Sequence, residues 1–314
     1  MAYTNKVIEI LKNYENTNAG IKANLGRILM HGDLGGTGKL VILPVDQGHE
    51  HGPDKSFLVN PPAYDPEYHY KLAIEAKLSA YAAPYGFLEA GSETFAGQIP
   101  TILKINSSNS LNDQKYQSLN GSVKDALRLG CSAIGFTIYP GSEYQYDMIE
   151  EFREISFEAS QHGLPSVLWS YPRGGNISKE GETSLDIISY AAHIAAQLGA
   201  HIIKVKPPSI NIENKDLKKT YDNNKDDLSL LANRISHIKK CAFNHKRIVV
   251  FSGGNIGAQI IGTVSICLFI FILSLVIWYI LDALMGIRVS EEDELTGLDT
   301  TELGMDAYPD FSKS

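Results

Sequence analysis

The stretch "HIIKVKPP", residues 201–208, places two lysines, Lys204 and Lys206, inside an apolar run of strand-forming residues. Side chains alternate along a strand, so Lys204 and Lys206 share one face, and Ile203 and Val205 share the other. The stretch follows "TSLDIISYAAHIAAQLG" (183–199), an apolar pattern at helical spacing that ends in Gly199, where a helix C-cap is expected. A helix feeding an apolar strand is half of a βαβ unit. In such a unit Ile203 and Val205 face the covering helices, and the two ammonium groups face the interior of the sheet.

The same punctuation recurs along the chain. Apolar, β-rich runs lie at "KLVILPVD" (39–46), "LSAYAAPYG" (78–86), "IPTILKIN" (99–106), "CSAIGFTIYP" (131–140), "PSVLWSYP" (165–172) and "RIVVFSGG" (247–254). Helical patterns separate several of them, including "SVKDALRLG" (122–130) and "YDMIEEFREISFEASQHG" (146–163), each closed by a glycine. Strands alternating with helices predict a parallel sheet. With 201–207 the runs number seven, whereas a (β/α)8 barrel needs eight. The expected fold class is α/β: a TIM-type barrel truncated after its seventh strand.

"GDLGGTGKL" (32–40) has the look of a phosphate loop without its spacing. Asp33 stands where the first glycine belongs, Leu40 stands in place of Ser or Thr, and the loop precedes a strand instead of following one. It reads as a flexible lead-in to the first strand.

The charge balance, −8 over 314 residues, argues against nucleic acid as a partner, because phosphate backbones call for clustered Lys and Arg. Cys131, Cys241 and Cys267 show neither zinc nor disulfide spacing and read as reduced thiols in a cytosolic setting. The N-terminal twenty residues are mixed and charged, without the apolar core of a signal peptide. From Ile248 to Leu281 no charged residue or histidine occurs. "IIGTVSICLFIFILSLVIWYIL" (260–281) exceeds the roughly 20 apolar residues that cross a bilayer as a helix. A short acidic tail follows it. The expected organisation is an N-terminal helical extension (1–34), a barrel (35–255), a transmembrane helix (256–284) and the tail (285–314).

Chemistry collects at the C-terminal ends of the strand runs, where barrel enzymes keep their active sites. Those ends carry Asp46, Gln47 and His49; Lys104 and Asn106; Trp169, Tyr171 and Arg173; Lys204 and Lys206; and Ser252, Gly253 and Gly254. A lysine among other cations and away from water loses proton affinity, and its free amine attacks carbonyls to give a Schiff base. A tyrosine and a carboxylate beside it can move protons. A lone strand lysine more often pairs with a carboxylate such as Asp46 or reaches out to water. Two on one face, opposite a Tyr, an Asp and an Arg, weigh toward chemistry. Alternation by itself does not choose between Lys204 and Lys206. "FSGG" (251–254) offers backbone N–H groups to a phosphate. His49 and His51 flank Glu50, but no third ligand is in view, so they read as solvated loop residues, not a metal site.

Five ordered motifs, "ILPVDQGHEHG" (42–52), "GCSAIGFTIYPGSE" (130–143), "VLWSYPRG" (167–174), "IIKVK" (202–206) and "FSGG", resemble the class I fructose-bisphosphate aldolases of the bacterial and archaeal type. The resemblance implies a (β/α)8 barrel that cleaves fructose 1,6-bisphosphate through a lysine imine, with no metal and no cofactor. It implies Lys204 as the Schiff-base lysine, with Lys206 as second choice, Tyr171 as the proton-transfer residue and Asp46 as the carboxylate. Trp169, Arg173 and Lys206 would line the substrate pocket, and Ser252, Gly253 and Gly254 would form part of a phosphate site. A phosphorylated ketose substrate, a cytoplasmic barrel and a homo-oligomer are the corresponding expectations. After Asn255 the pattern stops. "LMGIRVSEEDELTGLDTTELGMDAYPDF" (284–311) instead resembles the last membrane helix and cytoplasmic tail of an ammonium transporter. The chain thus reads as most of an aldolase fused to a transporter end, with membrane attachment through 256–281. The alternative to a working enzyme is a membrane-anchored, non-catalytic interaction protein. Lys239, Lys240, Lys246 and Arg247 place the N-terminal side of the apolar helix in the cytoplasm, whereas the transporter resemblance places its C-terminal side there.

Overall fold

The computed structural model describes residues 2–223, 227–253, 256–286 and Glu294. Its contacts divide the chain into two units, residues 1–253 and residues 254–314.

Among its described residues the first unit holds nine strands: β1 (Ile42–Pro44), β2 (Ala80–Pro84), β3 (Thr101–Lys104), β4 (Asn106–Ser107), β5 (Ser118–Leu119), β6 (Ala133–Ile138), β7 (Ser166–Ser170), β8 (Ile202–Val205) and β9 (Ile248–Phe251). Seven of them form one sheet in the order β1-β2-β3-β6-β7-β8-β9, and every pairing in it is parallel. These are the seven runs expected from the sequence, in chain order. The intervening helices include Val123–Arg128, Gln145–Gln161 and Leu185–Gln197. Gly130, Gly163 and Gly199 stand just after these three at positive φ, the conformation a helix C-terminus most often assigns to glycine.

The sheet curls. Ala80, Ala82, Ile102, Ala133, Val167, Trp169 and Ile202 share one cluster, with Ile42, Ile248 and Val250 packed against it. Residues from the two edges and the middle meet in one core only if the inner face is concave. The odd-numbered Ile203 and Val205 lie in a second cluster with Leu185, Ile188 and Ala192 of the covering helix. The alternation read in 201–208 is therefore realised in space.

Helices Asn5–Lys12 and Ala19–Leu29 contribute Val7, Leu11, Ile21, Leu25 and Ile28 to the inner cluster. Tyr14, between them, donates its hydroxyl to the His201 carbonyl at 2.6 Å and accepts the Ile248 N–H at 2.9 Å. One phenol thus ties the floor of the sheet to the first residues of β8 and β9.

β1 and β9 each pair on one side only among the described residues. A cavity of about 800 Å³ is lined from both edges, by Ile42 and Pro44 on one side and Val249, Val250 and Phe251 on the other; Trp169 and Lys204 reach it from within. An eighth strand would close this gap.

The short antiparallel pair β4–β5 was not expected. The run 99–106 breaks at Ile105, and Asn106 substitutes its side-chain amide for ladder bonds. It donates to the Thr137 carbonyl and accepts the Thr137 N–H, both at 2.8 Å. In "GDLGGTGKL" the Asp33 N–H goes to the Lys77 carbonyl and the Gly36 N–H to the Leu29 carbonyl, so neither is free to hold a phosphate.

In the second unit, Ile256–Met285 is one helix. Its segment Thr263–Leu284, with a mean hydropathy of 2.8, is long and apolar enough to cross a membrane. Most of the acidic tail lies outside the described residues.

Candidate active site

Lys204 sits on the inner face of β8. Its Nζ lies 5.4 Å from the centroid of the Trp169 ring on the neighbouring strand β7. The Trp169 ring has room because β6 carries Gly135 at its back. A Cβ on Gly135 would come within 2.4 Å of the indole, so only glycine fits there. Lys204 forms no ion pair among the described residues. Burial pushes its ammonium down to about 8; Asp46 and Glu50 oppose that shift, and Lys104 adds to it. A substantial fraction of Lys204 is therefore the neutral, nucleophilic amine at mildly alkaline pH.

Lys104, at the end of β3, is 2% exposed. Its ammonium lies 3.3 Å from Asp46 and 3.4 Å from Glu50, and it donates to Gln117 at 3.3 Å. Asp46 follows β1, and Glu50 rides on the short helix Gln47–His51. Both carboxylates are thus drawn from the rim onto a buried cation. His49 and His51, either side of Glu50, are exposed.

Tyr171 lies just past β7, where its N–H donates to the Ile138 carbonyl at 3.1 Å. Burial pushes its phenol well above the usual range; Asp46 and Glu50 push in the same direction, while a hydrogen bond with Ser252 and the Arg173 charge pull back. Tyr171 is thus a neutral phenol between two carboxylates and the end of β9. The Arg173 guanidinium stacks 4.8 Å over the Tyr139 ring, and its Nε is buried with no hydrogen-bond partner among the described residues. Ser252 continues β9, its N–H on the Val205 carbonyl at 2.9 Å, and Gly253 lines the cavity. Gly254 lies outside the described residues.

Lys206 shares the face of Lys204 but not its situation. Its ammonium is 2.8 Å from Glu182, which also takes Lys179 at 3.0 Å. Burial pushes the Glu182 carboxyl up, but the bonds from Lys206 and Lys179 outweigh it and hold the group below its usual value. Strand alternation left the two lysines equivalent; a carboxylate from the loop before helix Leu185–Gln197 separates them.

The structure brings together Lys204, Trp169, Tyr171, Asp46 and Ser252, with Arg173 beside them. Lys104, Glu50, Glu182 and Gly135 also shape the site; the sequence placed Lys104 among the strand-end residues and set Glu50 between two histidines, but gave none of the four a role in the chemistry. A signal existed for Lys104: a lone lysine in an apolar run, the same anomaly that exposed Lys204. Glu50 was visible only as a residue between two histidines. Nothing local marked Glu182 or Gly135, whose importance depends on partners on other elements.

A parallel barrel sheet with an unpaired, half-buried lysine at its C-terminal mouth defines a TIM-barrel chain with a lysine-centred site. The chain belongs to the DeoC/LacD family of aldolases, whose model matches residues 40–263. The ammonium transporter family model matches residues 229–308, overlapping the first from 229 onward. Among curated relatives, the class 1 fructose-bisphosphate aldolase of Thermoproteus tenax is 43% identical over 170 residues, covering 54% of this chain and 62% of the relative. A probable class 1 fructose-bisphosphate aldolase of Chlamydia muridarum is 38% identical over 198 residues, covering 62% of this chain and 57% of the relative. The chain therefore spans less than two thirds of these relatives. Among solved structures, an archaeal fructose 1,6-bisphosphate aldolase is 33% identical with a TM-score of 0.58, covering 78% of this chain and 80% of the other. Another archaeal structure, described as having the catalytic Lys covalently bound to the carbinolamine intermediate of its substrate, is 32% identical with a TM-score of 0.57 over the same shares.

Proposed function

We propose that the barrel unit is a Schiff-base aldolase that cleaves fructose 1,6-bisphosphate to dihydroxyacetone phosphate and glyceraldehyde 3-phosphate, with Lys204 as the imine-forming residue. The observation that carries this reading is the state of Lys204: enclosed, free of a carboxylate ion pair among the described residues, and shifted toward its neutral form. The names of the relatives support the substrate.

In this reading the Lys204 amine attacks the ketone carbon, and loss of water gives a protonated imine that withdraws electrons from the C3–C4 bond. The 4-hydroxyl proton leaves as that bond breaks. Tyr171 is its carrier. Because its phenol is held neutral, it passes its own proton on as it accepts the new one, and Asp46 and Glu50 are the adjacent carboxylates. Glyceraldehyde 3-phosphate departs, and the enamine is protonated and hydrolysed. Trp169 and Arg173 line the pocket, Lys206 supplies positive charge at its rim, and Ser252, Gly253 and Gly254 contribute to a phosphate site. Assembly into a homo-oligomer and a cytoplasmic location belong to the same proposal.

The test is borohydride trapping. The full chain is incubated with fructose 1,6-bisphosphate, reduced, digested and read by mass spectrometry. The expected adduct is on Lys204. An adduct on Lys206 moves the chemistry to the wrong lysine, and no adduct from folded protein removes the activity.

A second reading rests on the Thr263–Leu284 helix and the transporter match: a membrane-attached protein whose barrel is a passenger. Membrane fractionation of the full chain, with trapping measured in each fraction, separates a tethered enzyme from a tethered passenger.

A further inference from the structure

Lys104 presents a puzzle that the imine chemistry leaves open. A lysine 2% exposed is costly to hold charged, and this one meets both Asp46 and Glu50 within 3.4 Å. Lys204, in contrast, meets neither, although both carboxylates are close enough to favour its charged form. Lys104 thus takes both carboxylates, and Lys204, which feels the same two charges, takes neither; His51 also approaches Glu50, at 3.9 Å.

We propose that Lys104 is a positioning residue of this site: its buried ammonium clamps Asp46 and Glu50 and so keeps either carboxylate from closing an ion pair on Lys204.

This deepens, and rests on, the aldolase reading. The geometry is fixed from three sides. Lys104 leaves the end of β3, paired at that residue with Gly135 of β6. Its third bond goes to the Oε1 of Gln117, just before β5, and Gln117 is itself fully buried. Asp46 and Glu50 lie four residues apart on one turn of chain, so a single cation spans them. An ion pair on Lys204 would hold its amine protonated and would point its lone pair at a carboxylate instead of a ketone. The other charged or titratable groups around Lys204 do not compete. Tyr171 is a neutral phenol, Lys206 is taken by Glu182, and Arg173 stacks on Tyr139. The balance at Lys204 thus reduces to Asp46 and Glu50 against Lys104.

The experiment reads the Lys204 amine directly, without substrate. Formaldehyde with cyanoborohydride methylates neutral amines, and peptide mass spectrometry gives the extent at Lys204 across a pH series in the full chain. In the wild-type protein the midpoint is expected near 8. Lys104→Met should raise it by about one pH unit, Glu50→Gln should lower it by roughly half a unit to one unit, and the double variant should return it toward the wild-type value. Lys104→Arg, which keeps the charge, should leave the midpoint near the wild-type value. A purely structural role for Lys104 would lower folding yield without these opposed shifts. An unchanged midpoint in both single variants overturns the clamp. If Lys104→Met does not fold, Glu50→Gln alone decides: a lower midpoint supports the proposal and an unchanged one overturns it. Borohydride trapping with fructose 1,6-bisphosphate is run in parallel. Shifts in the labelling midpoint with no substrate adduct in the wild-type protein would sink the aldolase reading alone.

Discussion

The middle of the sheet and its two edges are made of similar residues but are buried differently. β2, β3, β6 and β7 are buried at every position, whereas β1 and β9 are half-buried at every position. The site straddles this difference. Lys104 and Trp169 hang from the enclosed middle, Lys204 hangs half-buried from β8 beside the edge, and Asp46 and Ser252 extend from the two edges. Enclosure, which supplies the Lys204 pKa shift, is thus provided where the proposed imine chemistry needs it. The residues proposed to hold a phosphate, Ser252 and Gly253, follow the edge strand β9, whereas the proposed proton carrier Tyr171 follows the enclosed β7.

The comparison can be broken first at its centre. Lys204→Met should reduce substrate trapping and aldol cleavage by at least about 10³-fold, since no other described lysine on the inner face is free of a carboxylate. Cleavage assays on the detergent-solubilised full chain check this, and retained activity would move the chemistry off β8. Next, the middle and the edge can be truncated separately. Ile102→Ala, at a fully buried position, should cost about 2–4 kcal/mol, and the half-buried Val250→Ala about 1 kcal/mol, by denaturant unfolding. Equal costs would mean that the edges are covered.

A third test uses pH. Burial pushes His201 down to about 4, with Arg247 adding to the shift, and its neutral Nδ1 accepts the Ser166 N–H at 3.1 Å. The folded state resists protonation that the unfolded chain accepts. His201 should therefore contribute full stability above pH ~6.5, and that contribution should fall as pH drops toward ~4, by up to about 3 kcal/mol. Unfolding free energies between pH 4 and 7, with and without His201→Gln, check the sign. A last effect is expected at Gly135→Ala, where the new methyl meets the indole of Trp169. A loss of about 1–3 kcal/mol should accompany a weakened imine yield, because the ring that walls Lys204 must move.

Much of the fold was legible in the chain. The seven apolar runs became the seven parallel strands, and three glycines closed three helices, because strand and helix periodicities and C-cap geometry are local properties. The break at Ile105 was not legible, since it depends on an Asn106 side chain bonding backbone on β6. Nor was the difference between Lys204 and Lys206, or the joint hold of Lys104 on Asp46 and Glu50. In each case the deciding partner is far along the chain: Glu182 is 24 residues from Lys206, and Glu50 is 54 residues from Lys104.

By itself, the sequence determined which residues alternate, which face carries the lysines, and where along the chain an apolar helix lies, because side-chain direction and hydropathy follow from the local chain. Tertiary structure alone decided which lysine keeps its amine free. That choice depends on which carboxylate reaches which ammonium through a low-dielectric pocket, and such distances exist only once β1, β3, β7 and β8 lie side by side.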